Sequence, residues 1–318
     1  MRLATTTADL DPYSDSLAEV VKLFDGTGFR RLDMNLYRSI YPGSVFLDNR
    51  WERWIGEGGE AASACGTCFS QAHAPDGDLH GSGEEFDVFL QATIRSVEAC
   101  ARLGIPHLVT HQQDIGGFPS RDYRRLNLER NRAFFEQLFP AMEKTGVHVL
   151  IENSCDTHAP TRGENTRHFP STAAELLDLA EYIDHPLLQI CWDTGHANIQ
   201  GVDQYRSIVE LGDRLTAVHI ADNYGDLDSH VAPFQGTTNM DAVMQGLLDS
   251  NFGGDFTFES SQILRSGGAW PHFRREWHNG SEEVTRLMDV PLALKQQAVA
   301  LLYEIGKHIL TEYGCFEE

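Results

Sequence analysis

The stretch Leu188-Gln189-Ile190-Cys191-Trp192-Asp193-Thr194-Gly195-His196 decides the fold. A short apolar run ends abruptly on an acid, and a helix-starting Thr-Gly follows. Three other segments repeat the pattern. Val149-Leu150-Ile151 ends on Glu152, Ala217-Val218 leads to His219, and Phe256-Thr257-Phe258 leads to Glu259. Runs of four to eight residues rich in Val, Ile, Leu and aromatics read as buried strands.

Working outward gives further strands near Leu3–Thr7, Arg31–Met34, Thr67–Ala72 and His107–Thr110, besides those over Val147–Ile151, Leu188–Trp192, Ala217–Ile220 and Thr257–Phe258. Between them lie amphipathic patterns at Ser16–Phe24, Phe86–Leu103, Leu126–Met142, Ala173–Ile183, Tyr205–Leu211 and Met240–Leu248. Pro291–Tyr313 predicts a last helix that packs on the barrel or on a partner subunit. Alternating strands and helices imply a parallel α/β sheet, and eight strands close a barrel. No G-x-G-x-x-G follows the first strand, which argues against an open doubly wound sheet. The expectation is an α/β chain forming one (β/α)8 TIM barrel domain over residues 1–318. The barrel itself takes about 1–260, and a lid loop and C-terminal helices take about 261–318.

Three connections exceed what a minimal barrel needs: Tyr37–Ser63, Cys155–Pro170 and Ser261–Ser281. Long loops of this kind are usually lids or binding loops. Within the first, Gly56-Glu57-Gly58-Gly59-Glu60 reads as a solvated loop. Cys65-Gly-Thr-Cys68 has metal-ligand spacing but no second pair, so it reads as core thiols.

The chain has 318 residues, 41% of them hydrophobic and 23% charged, within the range of globular proteins. Its net charge of −22 repels phosphate backbones, so no nucleic-acid partner is expected. The N-terminus lacks an apolar signal region, no run is long enough for a membrane span, and six cysteines do not make a disulfide scaffold. A cytoplasmic, non-membrane protein is expected.

In a barrel the catalytic groups sit at the C-terminal strand ends. Glu152, Asp193, His219 and Glu259 therefore converge on one mouth. This oxygen-rich set suits one hard divalent ion, Mn2+ first, with Mg2+, Co2+ and Zn2+ as alternatives. Such an ion would polarise a carbonyl, and a carboxylate beside it could take the α-proton. Taken singly, Asp193 reads as a helix cap and His219 as a structural histidine. Four such groups on four strand ends are harder to explain separately. His73, His111, His196, Asp228 and His230 gather as substrate contacts, as groups supporting the ligands or as additional ligands, and Trp270, in an aromatic loop, is a further candidate substrate contact.

These residues resemble the xylose isomerase-like barrel superfamily, which also contains endonuclease IV. The resemblance runs from the first strand to Glu259. It rests on Ile151-Glu152-Asn153, on Trp192-Asp-Thr-Gly-His196 and on Val218-His-Ile-Ala-Asp-Asn223. Asp228-Ser-His-Val-Ala-Pro-Phe-Gln-Gly236 is similar to a D-x-H…P-G-x-G stretch, and Phe258-Glu259-Ser260 resembles the closing strand. It implies metal binding by Glu152, Asp193, His219 and Glu259. In the ketose 3-epimerase branch it implies that Glu152 and Glu259 exchange a proton on opposite substrate faces, with His196 holding a hydroxyl. That branch carries an arginine shortly after the ligand histidine, and this chain does not. The endonuclease IV branch implies instead three zinc ions on His73, His111, Glu152, Asp193, His196, His219, Asp228, His230 and Glu259. A third branch implies β-elimination, with C–O or C–C cleavage, on oxidised glycosides, sometimes with a small partner subunit. A homo-oligomer and a sugar-sensing barrel complete the alternatives.

Overall fold

The computed structural model describes residues 1–116, 118–159, 164–265 and 287–318. In chain order the elements are β1 (Leu3–Thr6), α1 (Leu17–Leu23), β2 (Arg31–Asn35), α2 (Trp51–Cys65), β3 (Cys68–His73), α3 (Glu84–Leu103) and β4 (His107–Thr110). There follow α4 (Tyr123–Phe135), α5 (Phe139–Thr145), β5 (His148–Glu152), β6 (Thr157–Ala159), β7 (Glu164–Thr166), α6 (Ala173–Ile183) and β8 (Leu188–Asp193). The chain ends through α7 (Thr194–Gln200), α8 (Gln204–Leu211), β9 (Leu215–Ile220), α9 (Met240–Asp249), β10 (Phe256–Phe258) and α10 (Leu292–Glu312).

Eight strands close a parallel barrel in the order β1-β10-β9-β8-β5-β4-β3-β2, and β6 and β7 form a separate antiparallel pair. All eight strand readings from the sequence therefore fall on barrel strands. The fold is a (β/α)8 barrel.

Strand parity builds the site. Side chains two apart share a face of a strand. Val109, Leu150, Cys191 and Ala217 form a small buried cluster separate from the main core. Two residues further along each strand come His111, Glu152, Asp193 and His219. An apolar layer thus fills the barrel, and a polar layer of the same parity lies directly above it at the C-terminal end.

Three expectations are corrected. The Tyr37–Ser63 connection contains α2, and Gly56–Glu60 lies inside that helix. Its buried face is Trp51, Ile55, Gly58, Ala61 and Ala62, a helical spacing with a glycine as a member. A Cβ on Gly58 would stand 2.4 Å from Leu17 Cδ2, so the glycine lets α1 and α2 approach. The Cys65/Cys68 pair is not a core pair: Cys68 is exposed and Cys65 only half-buried. The Leu126–Met142 pattern divides into α4 and α5. The first helix ends before Phe139, and Pro140 stands in the first turn of the second, where its missing N–H costs nothing.

Helix α10 packs on the barrel through Val299, Leu302, Ile309 and Leu310. No described helix is long and apolar enough to cross a membrane. All six cysteines are free.

Candidate metal centre at the barrel mouth

Glu152, Asp193, His219 and Glu259 offer ligand atoms that all lie within 4.8 Å of one another. Strand register explains why. Glu152 pairs with Cys191 across β5 and β8, Asp193 pairs with His219 across β8 and β9, and Thr257, two residues before Glu259, pairs with His219 across β9 and β10. His219 Nδ1 stands 2.6 Å from Glu152 Oε1 and 3.2 Å from Glu259 Oε2.

Asp193 caps a helix with one carboxylate oxygen and leaves the other available. Its Oδ1 accepts the His196 N–H at 2.5 Å and caps α7. Its Oδ2 is buried with no hydrogen-bond partner among the described residues. A buried carboxylate oxygen without a partner is costly. Burial pushes the Asp193 carboxyl up to about 6, against the opposing His196 charge. Burial pushes Glu152 the same way, yet His219 and His111 beside it hold it well below the ordinary carboxylate range.

Three carboxylates around one imidazole, one of them with an orphaned oxygen, fit a hard divalent cation. The donors are mostly oxygen, they come from four strands, and each is fixed by backbone.

Two further groups flank this centre. His196 Nε2 and His230 Nε2 stand 3.3 Å and 2.7 Å from Asp228 Oδ2. His73 Nε2 stands 3.2 Å from His111 Nε2, which in turn lies 3.0 Å from Glu152 Oε2. Each trio, His196/Asp228/His230 and His73/His111/Glu152, also falls within 4.8 Å.

The Nδ1 atoms of His196, His230 and His73 approach backbone carbonyls of Asn153 at 2.8 Å, Glu259 at 2.8 Å and Ala74 at 2.9 Å. A carbonyl only accepts, so each Nδ1 carries the proton. In a neutral ring Nε2 then presents a lone pair. Two lone pairs aimed at Asp228 oppose a carboxylate until each ring gains a second proton or a cation enters. His230 is held up at about 10: burial lowers it, and Asp228 more than offsets this.

The loop carrying Asp228 is pinned by Asp222. Its backbone pairs with Val231, and its carboxylate accepts N–H bonds from Gly236 and Thr238, both at 2.9 Å. A Cβ on Gly236 would stand 2.2 Å from Asn223 O and 2.4 Å from Asp222 Oδ1. His230 adopts φ 45°, a left-handed conformation held by this surrounding structure.

The sequence reading thus named nine residues that the fold brings together. Trp270 and the rest of 266–286 lie outside the described residues. The reading missed Asp33 and Gln71, which face His219 from β2 and β3, and Asn153, which bridges β5 and β8. It also missed Cys191 as a neighbour of the centre, grouped within 4.8 Å of Glu152 and His219. Their signal was a polar residue inside an apolar strand.

Residues 4–270 match the xylose isomerase-like TIM barrel family. The chain belongs to that family. A curated relative, the uncharacterized protein y4fM of Sinorhizobium fredii, is 27% identical over 164 residues, 52% of this chain and 50% of that protein. The chain thus spans about half the length of that relative. Among solved structures, the apo 3-keto-D-glucoside 4-epimerase YcjR of E. coli superposes with TM-score 0.66 and 18% identity, covering 96% of this chain and 99% of that one. The D-psicose 3-epimerase of Clostridium cellulolyticum H10 with D-tagatose gives 0.69 and 16%, covering 98% and 99%. At these identities the likeness is one of fold.

Proposed function

We propose that the chain is a sugar isomerase or epimerase that moves a proton on carbon beside a carbonyl, with one divalent ion, Mn2+ first, on Glu152, Asp193, His219 and Glu259. The observation that carries this is the four-ligand centre with its orphaned Asp193 oxygen. Family membership, and the two neighbours named as sugar epimerases, support the substrate class. When bound, the ion supplies a Lewis acid that gathers neighbouring substrate oxygens and polarises the carbonyl.

The protein's own groups do the rest. Glu259 keeps 15% of its side chain exposed and Glu152 only 1%, so Glu259 is the carboxylate more open to the mouth. Burial raises Glu259, but His219 and His230 beside it hold it at about 2. It therefore stands ionised at neutral pH, the form a carboxylate base requires. Removal of the C–H proton leaves its electron pair delocalised into the carbonyl as an enediolate. Delivery of a solvent-derived proton to the opposite face through Glu152, with Glu259 releasing its own proton to solvent, inverts that carbon. Return to the neighbouring carbon isomerises instead. His196 and His230, each doubly protonated against Asp228, can orient substrate hydroxyls, and His73 and His111 line the other side of Glu152.

The lone-pair conflict at Asp228 favours a second reading. If cations rather than protons resolve it, His196/Asp228/His230 and His73/His111/Glu152 become two more metal sites, and the resemblance then points to endonuclease IV chemistry. The −22 charge weighs against a DNA partner.

The test is exchange in D2O on a panel of ketohexoses and 3-keto-glycosides with Mn2+. The wild type incorporates deuterium at the carbon beside the carbonyl. Glu152→Gln and Glu259→Gln each lose about a hundredfold or more. Undiminished exchange in both removes their role as bases. Cleavage of abasic duplex DNA at low salt would favour the second reading.

A further inference from the structure

Asp33 and Gln71 are register partners on β2 and β3 and point into the barrel behind His219. Gln71's amide end stands 2.7 Å from His219 Nε2, and Asp33 Oδ2 stands 3.7 Å from the same nitrogen. Asp33 is 1% exposed, and neither of its oxygens has a hydrogen-bond partner among the described residues. A carboxylate buried without hydrogen bonds is costly. The register partners of Asp33, Thr6 and Gln71, give it no hydrogen bond, so the strand pairing supplies no structural reason to keep it there.

The ring between them supplies a reason. His219 Nδ1 faces Glu152 and Glu259, inside the four-ligand centre, while Nε2 faces the opposite way. A ring nitrogen that ligates a cation does so with its lone pair, so the single proton of the neutral ring must sit on the other nitrogen. That nitrogen then needs an acceptor. The two ends of a glutamine amide have the same shape, and turning the amide places its oxygen on Nε2. Asp33 lies beyond as a second, negatively charged acceptor.

We infer that Gln71 and Asp33 are positioning residues that hold the His219 proton on Nε2 and so present the Nδ1 lone pair to the ion. The inference rests on the reading that the centre holds a divalent ion. Neither residue touches the ion or the substrate. Gln71 fixes the ring's tautomer and angle, and the charge of Asp33 behind the ring makes Nδ1 the stronger donor. Carboxylate–histidine–metal relays of this kind typically change metal affinity ten- to a hundredfold when broken.

The test is metal binding by the ion-free full-length protein. Mn2+ is titrated by calorimetry and Co2+ by its visible absorption. The wild type binds. Asp33→Asn and Gln71→Leu each weaken both ions about tenfold to a hundredfold and shift the Co2+ spectrum. Thermal unfolding of ion-free Asp33→Asn is unchanged or occurs at higher temperature, because an unpartnered buried charge has gone. Gln71→Glu, which keeps an acceptor at the ring, restores affinity to within a few-fold. Wild-type affinity in Asp33→Asn and Gln71→Leu overturns the inference while leaving the ion site standing. Failure of the wild type to bind overturns the ion site itself. Independently of any variant, long-range 1H–15N spectra of the Zn2+-loaded protein should place the His219 proton on Nε2, and a proton on Nδ1 contradicts the inference.

Discussion

Asn153 and Asp193 clasp each other across adjacent barrel strands: Asn153 Nδ2 donates to the Asp193 carbonyl at 2.9 Å, and the Asp193 N–H donates to Asn153 Oδ1 at 2.8 Å. Both residues are buried. The pair ties the end of β5, which carries Glu152, to the end of β8, which carries Asp193. Asn153→Ala removes both bonds and strands two buried backbone groups. It should cost about 2–4 kcal/mol in urea denaturation of the ion-free protein and weaken Mn2+ binding as well.

Asp193 gives a cleaner separation of structure from binding. Asp193→Asn keeps an oxygen for the α7 cap and removes the charge. Its ion-free stability should stay within about 0.5 kcal/mol of wild type or rise, while Mn2+ uptake is lost. Asp193→Ala loses the cap too and should cost about 1 kcal/mol. Thermal unfolding with and without Mn2+ measures both.

Gly236→Ala tests the loop that carries Asp228 and His230. The added methyl group would collide with Asn223 O and Asp222 Oδ1, which are backbone and a fixed carboxylate. The loop must shift, at about 1–3 kcal/mol. Proton exchange should fall with a raised KM, since Asp228 and His230 move while Glu152 and Glu259 stay. Unchanged kinetics would remove Asp228 and His230 from the substrate site.

His107, at the start of β4, predicts an acid sensitivity unrelated to the mouth. Burial, aided by the neighbouring His148, lowers its pKa to about 4. The unfolded chain titrates near the ordinary value of 6.5. Between pH 6.5 and 4 the unfolded state therefore binds the proton and the folded state does not, so stability falls as pH falls through that window. His107→Gln should flatten the Tm-against-pH curve there. An unchanged slope would place the sensitivity elsewhere.

The fold was legible because the later barrel strands β5, β8, β9 and β10 are largely apolar runs that lead to a polar residue at the mouth. That pattern follows from parity: Leu150 fills the barrel and Glu152, two residues on, stands above it. Helix α2 was hidden because Gly58 occupies a place in its buried stripe. Close packing against Leu17 makes a glycine part of the core there, and composition alone reads it as a loop. Cap and ligand were weighed as alternatives at Asp193, although one carboxylate has two oxygens and can serve both. Asp33 and Gln71 were passed over because they lie one layer below the strand ends, where position along the chain gives no hint of the His219 ring across the barrel. The convergence of Asp228 with His196 and His230 needed the fold of the Asp222–Gly236 loop.

Elemental analysis of protein purified without chelator, repeated after equilibration with Mn2+, tests the four-ligand centre most directly. The account predicts one divalent ion per chain in the wild type and none in Asp193→Asn. No bound ion in the wild type, or three zinc ions per chain, would contradict it.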